Sequence, residues 1–173
     1  RLSTHHRAMK PADILKCPSC SAKLQGGEDK GGLLWLCSIC FGAGLRTELL
    51  REKAPAHVIK SLWKAAKEQS GPSERNCLLC RERMVLVSQP LPSGQVLHLD
   101  ACVKCSLVWF DANEVNDLLA HGPLADGKRK DFMPLLRREL QKDAGKAVEL
   151  SPAGYVAIDL IGEALIAVFT SLP

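Results

Sequence analysis

The sequence predicts an α+β protein: two small modules, each a β-hairpin followed by a helix, and a helical region at the C-terminal end. Three observations predict it. All eight cysteines of the 173-residue chain fall into Cys-x-x-Cys pairs, namely Cys17/Cys20, Cys37/Cys40, Cys77/Cys80 and Cys102/Cys105. The pattern around the first two pairs recurs around the second two. Amphipathic stretches of helical period follow each copy.

Two neighbouring pairs supply the four thiolates of one tetrahedral site, so the cysteines suit two structural metal ions with none left over. A Cys-x-x-Cys turn aims both sulfurs at one ion, about 2.3 Å from each. Sixteen residues lie between Cys20 and Cys37, and twenty-one between Cys80 and Cys102. Either gap holds a hairpin that returns the second pair to the first. Zinc is the expected metal, two ions per chain, and iron is the alternative because four thiolates suit it too. A disulfide framework belongs to small secreted chains, and a redox Cys-x-x-Cys to a βαβ setting. The sequence shows neither a signal-peptide pattern nor that setting.

Along the chain, residues 1–13 read as a tail, with Met9 a candidate start and His5 and His6 not expected to bind metal. The first module spans 14–54. Cys17-Pro18-Ser19-Cys20 opens it, Gly26, Gly27, Gly31 and Gly32 provide the turn, and 33–36 is the return strand. A short helix over 48–53 stops before Pro55. A connecting segment, 55–72, carries a helix over about 56–69. Its Val58, Ile59, Leu62, Trp63 and Ala66 share a face, and Gly71-Pro72 closes it.

The second module spans 73–122. Its strands lie at 85–87 and 96–99, where apolar residues alternate, with Pro90, Pro92 and Gly94 at the turn. Asp111 then caps a helix, with Glu114 at the third position as in a capping box. Residues 123–150 form a basic linker and an amphipathic helix. The last segment, 151–173, is the most apolar and reads as a helix with Asp159 and Glu163 on one face. An acidic residue at mid-membrane costs about 2.5–3.5 kcal/mol, so this pair argues against a simple span. Packing within the chain, self-association or a partner is expected to cover its apolar side, ahead of membrane attachment.

These residues resemble the transcription-factor-IIB-type zinc-finger family, a bacterial zinc-ribbon family, in two tandem copies. Its pattern is Cys-Pro-x-Cys, a Leu a few residues on, a hairpin, then Cys-x-x-Cys-x-Gly-x-Trp-(Leu/Phe)-Asp-x-x-Glu-(Leu/Val). Copy two has Cys102, Cys105, Trp109, Phe110, Asp111, Glu114 and Val115 in register. It departs at Leu78, where Pro is usual, and at Leu107, where Gly is usual. Copy one has the Cys-Pro-x-Cys opening, Leu24 and Gly42. It carries Gly44, Arg46 and Leu49 at the tryptophan and acidic positions. The resemblance covers about 16–52 and 76–121 and implies two zinc ribbons. Such ribbons also look like scaffolding modules and N-terminal appendages of membrane proteins, including rhomboid-type proteases.

The expected function is non-enzymatic: a cytoplasmic structural zinc protein that serves protein interaction. Four-cysteine sites leave no open coordination position for a substrate. No His-Glu-x-x-His, Gly-x-Ser-x-Gly or phosphate-loop motif is present, and His57, His98 and His121 stand isolated. Two alternatives are a nucleic-acid-binding, transcription-related factor and the N-terminal regulatory region of a membrane protein. The formal charge of +4 favours nucleic acid little. Eight thiolates and two divalent ions contribute about −4, which brings the metallated chain near zero. Lys128, Arg129, Lys130, Arg137, Arg138 and Lys142 could meet phosphates. Lys16, Lys23, Arg81, Arg83 and Lys104 are expected to offset the charge of the thiolate sites. Trp109 and Phe110 are expected to cover a knuckle and the following helix rather than stack on a base.

Overall fold

The computed structural model describes residues 15–26, 34–68, 70–90, 94 and 96–114. The readings for the tail, for 123–150 and for 151–173 lie outside them, as does the helix after Asp111 beyond Glu114. Seven strands form one antiparallel sheet: β1 (Gln25–Gly26), β2 (Leu34–Leu36), β3 (Ala43–Arg46), β4 (Gly71–Asn76), β5 (Arg83–Pro90), β6 (Val96–Cys102) and β7 (Leu107–Phe110). Their order is β1-β2-β3-β7-β6-β5-β4. Helices α1 (Thr47–Lys53) and α2 (Ala56–Glu68) connect β3 to β4.

The predicted second hairpin is present as β5 and β6, in register from Val85↔Ala101 to Pro90↔Val96. The predicted return strand of the first is β2. Each module also has a third strand after its second cysteine pair, β3 or β7. These two strands pair with each other, so the modules share one sheet. Neither is expected from the sequence: Ala43-Gly44-Leu45-Arg46 carries little strand propensity, Leu107-Val108-Trp109-Phe110 is β-prone but only four residues long, and each is held by pairing on both sides, with β2 or β6 as well as with the other. Strand β4 begins with Gly71-Pro72, which sequence reading takes only as a helix stop. Proline is tolerated there because β4 lies at the sheet edge.

Alternation along the strands divides the core between two faces. On one face, Leu34, Leu36, Leu45, Leu99, Val108 and Phe110 pack with Leu50 of α1 and Val58, Ile59 and Leu62 of α2. On the other, Trp35, Met84, Leu107 and Trp109 pack with the buried cysteines and with Leu24. The apolar stripe of α2 is as predicted at Val58, Ile59, Leu62 and Ala66, with Trp63 only partly buried. Lys60, Lys64 and Lys67 are exposed.

Two contacts fix where the helices sit. The backbone N–H and the side-chain Oγ1 of Thr47 both donate to the Ser106 carbonyl, at 2.8 and 3.0 Å. This ties the start of α1 to the second module's last cysteine turn. At its other end the Ala54 N–H returns to the Leu50 carbonyl before Pro55. Among the described residues, no helix is long and apolar enough to cross a membrane.

Candidate metal centres

The eight cysteines gather into two groups of four, Cys17/Cys20/Cys37/Cys40 and Cys77/Cys80/Cys102/Cys105. Sequential pairs combine, as the repeat predicts. Within each group every sulfur lies within 4.8 Å of the others. Cross-pair separations are 3.4 Å for Cys17–Cys40, 3.5 Å for Cys20–Cys37 and 3.6 Å for Cys80–Cys102. Four sulfurs about 2.3 Å from one ion stand about 3.8 Å apart. The groups are therefore close to the size of a tetrahedral thiolate shell and far wider than a disulfide, which spans about 2.05 Å. All eight thiols are free.

Each Cys-x-x-Cys forms the same tight turn. Its first cysteine is buried and its second is more exposed. A following backbone N–H points at the first sulfur: Ser19 to Cys17, Cys40 to Cys37, Leu79 to Cys77 and Cys105 to Cys102, all at 3.4–3.5 Å. The residue after each second cysteine takes a left-handed backbone: Ser21 (φ 62), Phe41 (φ 61), Arg81 (φ 63) and Ser106 (φ 52). That conformation costs an ordinary residue about 1–2 kcal/mol. Backbone bonds close at least three of these turns: the Ser21, Phe41 and Arg81 N–H groups donate to the Cys17, Cys37 and Cys77 carbonyls.

Protonation fits the same reading. Burial pushes the Cys17 and Cys40 thiols up, and Cys105 up to about 12. In the second group, hydrogen bonding between Cys77 and Cys102 raises Cys77 and lowers Cys102 to about 5. Packed this closely, the thiols resist ionising together unless a cation joins them. The donor set is all thiolate, which suits zinc or iron.

A polar network links the first group to the second module. Ser19, inside the first cysteine turn, donates to Asp111 Oδ1 at 2.6 Å. The Trp109 indole N–H is shared between Ser19 Oγ and Asp111 Oδ1, each at 3.1 Å. Arg75 bridges Asp111 and the fully buried Asp100, with 2.7 Å to Asp100 Oδ2. Ser73 Oγ donates to Asp100 Oδ1 at 2.5 Å. Sequence reading missed Ser73, Arg75 and Asp100. The available signal is Asp100 itself, a carboxylate in a strand of buried apolar residues, which needs a cation from elsewhere.

The predicted capping box is half present. Glu114 Oε2 accepts the Asp111 N–H at 2.6 Å, while the Asp111 carboxylate serves the network instead. Burial pushes the Glu114 carboxyl up to about 8, with the Asp111 and Asp100 charges adding to the rise. The folded protein therefore keeps a proton that the unfolded chain releases near 4.5. This stabilisation is complete below about pH 4.5 and is lost as pH rises to about 8. Urea unfolding between pH 6.5 and 8 should show a fall of up to ~1.4 kcal/mol per pH unit from this group, levelling above pH 8. Glu114→Gln keeps the acceptor and should remove that part of the slope.

The departures from the ribbon pattern occur together in space. The repeat aligns Cys37 and Cys40 with Cys102 and Cys105, and the same offset carries Gly44 onto Trp109. In the sheet Gly44 pairs with Trp109, so a pseudo-two-fold axis passes through a residue and its own repeat copy. The Trp109 ring covers both Gly42 and Gly44. A Cβ on Gly42 would meet Trp109 Cζ2 at 2.4 Å, and one on Gly44 would meet Trp109 Cε3 at 3.1 Å and Leu78 Cδ2 at 3.0 Å. The axis has room for one tryptophan. Leu78 and Leu107, both buried, help fill the region where a second would lie. Gly42→Ala should cost about 1–3 kcal/mol by overpacking, measured by urea unfolding of the metal-loaded protein.

Other predicted positions are placed plainly. Lys16, Lys23, Arg81, Arg83 and Lys104 are exposed beside the cysteine turns, and Lys104 pairs with Glu82. Exposed His98 bonds Ser88 at 3.0 Å, and His57 is also exposed. Trp109 and Phe110 are wholly buried. Comparison of the chain with protein-family models, curated proteins and solved structures gives no match.

Proposed function

We propose that this chain is a non-enzymatic protein whose two four-cysteine groups each hold a structural zinc ion, and whose metal-fixed sheet serves protein interaction in a reducing compartment such as the cytoplasm. The observation that carries this reading is the gathering of all eight cysteines into two closed groups of sulfurs. Four thiolates saturate a tetrahedral ion, whereas a catalytic zinc keeps one position open. When bound, the metal supplies a cross-link between the ends of two hairpin strands.

Burial of Trp109 and Phe110 removes these two rings as platforms for base stacking, which needs exposed rings. Native mass spectrometry of protein purified without added metal tests the reading. Two zinc ions per chain are expected. Iron, or a metal-free and fully disulfide-bonded mass, overturns it. Nucleic-acid affinity at low salt that falls steeply as salt is added would favour the transcription-related reading instead.

A further inference from the structure

The first cysteine turn takes support from the other half of the molecule. Ser19 faces two ways. Its backbone N–H points at Cys17 Sγ at 3.4 Å, and its hydroxyl donates to Asp111 Oδ1 at 2.6 Å, across 92 positions of sequence. Asp111 is itself held: its other oxygen accepts from Arg75, and the Trp109 N–H bonds Oδ1 at 3.1 Å. At the other three turns, the N–H that points at the first sulfur belongs to Cys40, Leu79 or Cys105. Two of these are members of the cysteine groups, and Leu79 is anchored by apolar packing. Among the four donors only Ser19 carries a hydroxyl.

The first turn also has the weaker local frame. Ser19, Cys20 and Ser21 are exposed. The strand that follows, β1, pairs with β2 at two positions, whereas β5 and β6 of the second module pair at six. A donor aimed at a metal-bound sulfur acts only where its turn is fixed, and removing the group that fixes a ligand's partner costs about 10–100-fold in metal affinity. On the reading that each group holds an ion, we propose that Asp111 is a positioning residue for the first metal centre: by holding the Ser19 hydroxyl it sets the N–H that meets Cys17, and so it couples the two centres. The coupling follows from where Asp111 stands. It ends β7, and β7 leaves the last cysteine turn of the second centre. Emptying that centre frees the turn, and with it the support of Ser19. Each ion then raises the affinity of the other centre by the same factor, as linkage requires.

The test is zinc retention by the full-length chain against a competing chelator, read by native mass spectrometry. Alkylation of the released cysteines, mapped by peptide, identifies which centre empties. In Ser19→Ala the ion of the first centre should leave at about tenfold lower chelator, the low end of the range because Ser19 is exposed. The ion left behind should be held as in the wild type. Ser19→Thr, which keeps the hydroxyl, should restore the first centre. Cys80→Ser/Cys105→Ser, which disables the second centre, should weaken the first as well, and adding Ser19→Ala to it should cost little more. An unmoved first centre in Ser19→Ala, a loss that Ser19→Thr does not restore, or additive losses in the combined variant would overturn the proposal. Wild-type protein that binds no metal would overturn the zinc reading itself. Two ions in the wild type with an unmoved first centre in Ser19→Ala would overturn the positioning role alone.

Discussion

Stripping both metals is expected to unfold the sheet. One of the two core faces is built around the cysteines themselves, and each centre joins the ends of two hairpin strands. Structural zinc binding in small modules is worth about 10–16 kcal/mol, as much as the whole net stability of a typical domain, about 5–15 kcal/mol. Circular dichroism with a strong chelator should show loss of strand signal, recovered on adding zinc. Cys102→Ser should remove the second ion and destabilise β6 and β7 together, because Cys102 ends β6 and β7 follows one turn later. Retention of the native spectrum after complete metal removal would show that the apolar core suffices.

Arg75→Ala should have the second-largest effect, about 3–5 kcal/mol, the cost of leaving a buried carboxylate without its partner. Asp100 is 0% exposed, and Ser73 would be its remaining hydrogen-bond donor. The Arg75 side chain is 30% exposed, so water can partly replace it and the lower end, about 3 kcal/mol, is expected. Asp100→Asn in the Arg75→Ala background should recover much of the loss, since it removes the orphaned charge. A double-mutant cycle by urea unfolding measures the coupling. Additive effects would mean that the two side chains do not act as a pair.

How far the fold was legible depended on whether a signal was local. Cysteine spacing is local, and it yields the two groups of four and their sequential pairing. The strands at 85–87 and 96–99 alternate visibly, and α2 has a clear apolar stripe with a Gly-Pro stop. That β3 and β7 join the two modules into one sheet was not legible, because this ladder pairs segments more than sixty residues apart. The Arg75–Asp100 pair was hidden for the same reason: its members lie on β4 and β6, on either side of β5. Arg75 also sits in Gly71–Asn76, where the register with β5 shifts, so no periodic pattern marks it. The glycine at position 44 reads in one dimension as a motif lost. In three dimensions it is the space the other copy's tryptophan requires.

That last contact also sets a rule for exchange between chains. If two molecules met through their third strands, a first-module strand would find Gly44 against Gly44 and leave a void. A second-module strand would set Trp109 against Trp109, and the rings would clash. Only the unlike combination fills the axis with one ring, so shape alone discriminates against both like pairings. Within one chain, the Gly44–Trp109 pair lets two similar halves share one sheet with a single ring at their junction.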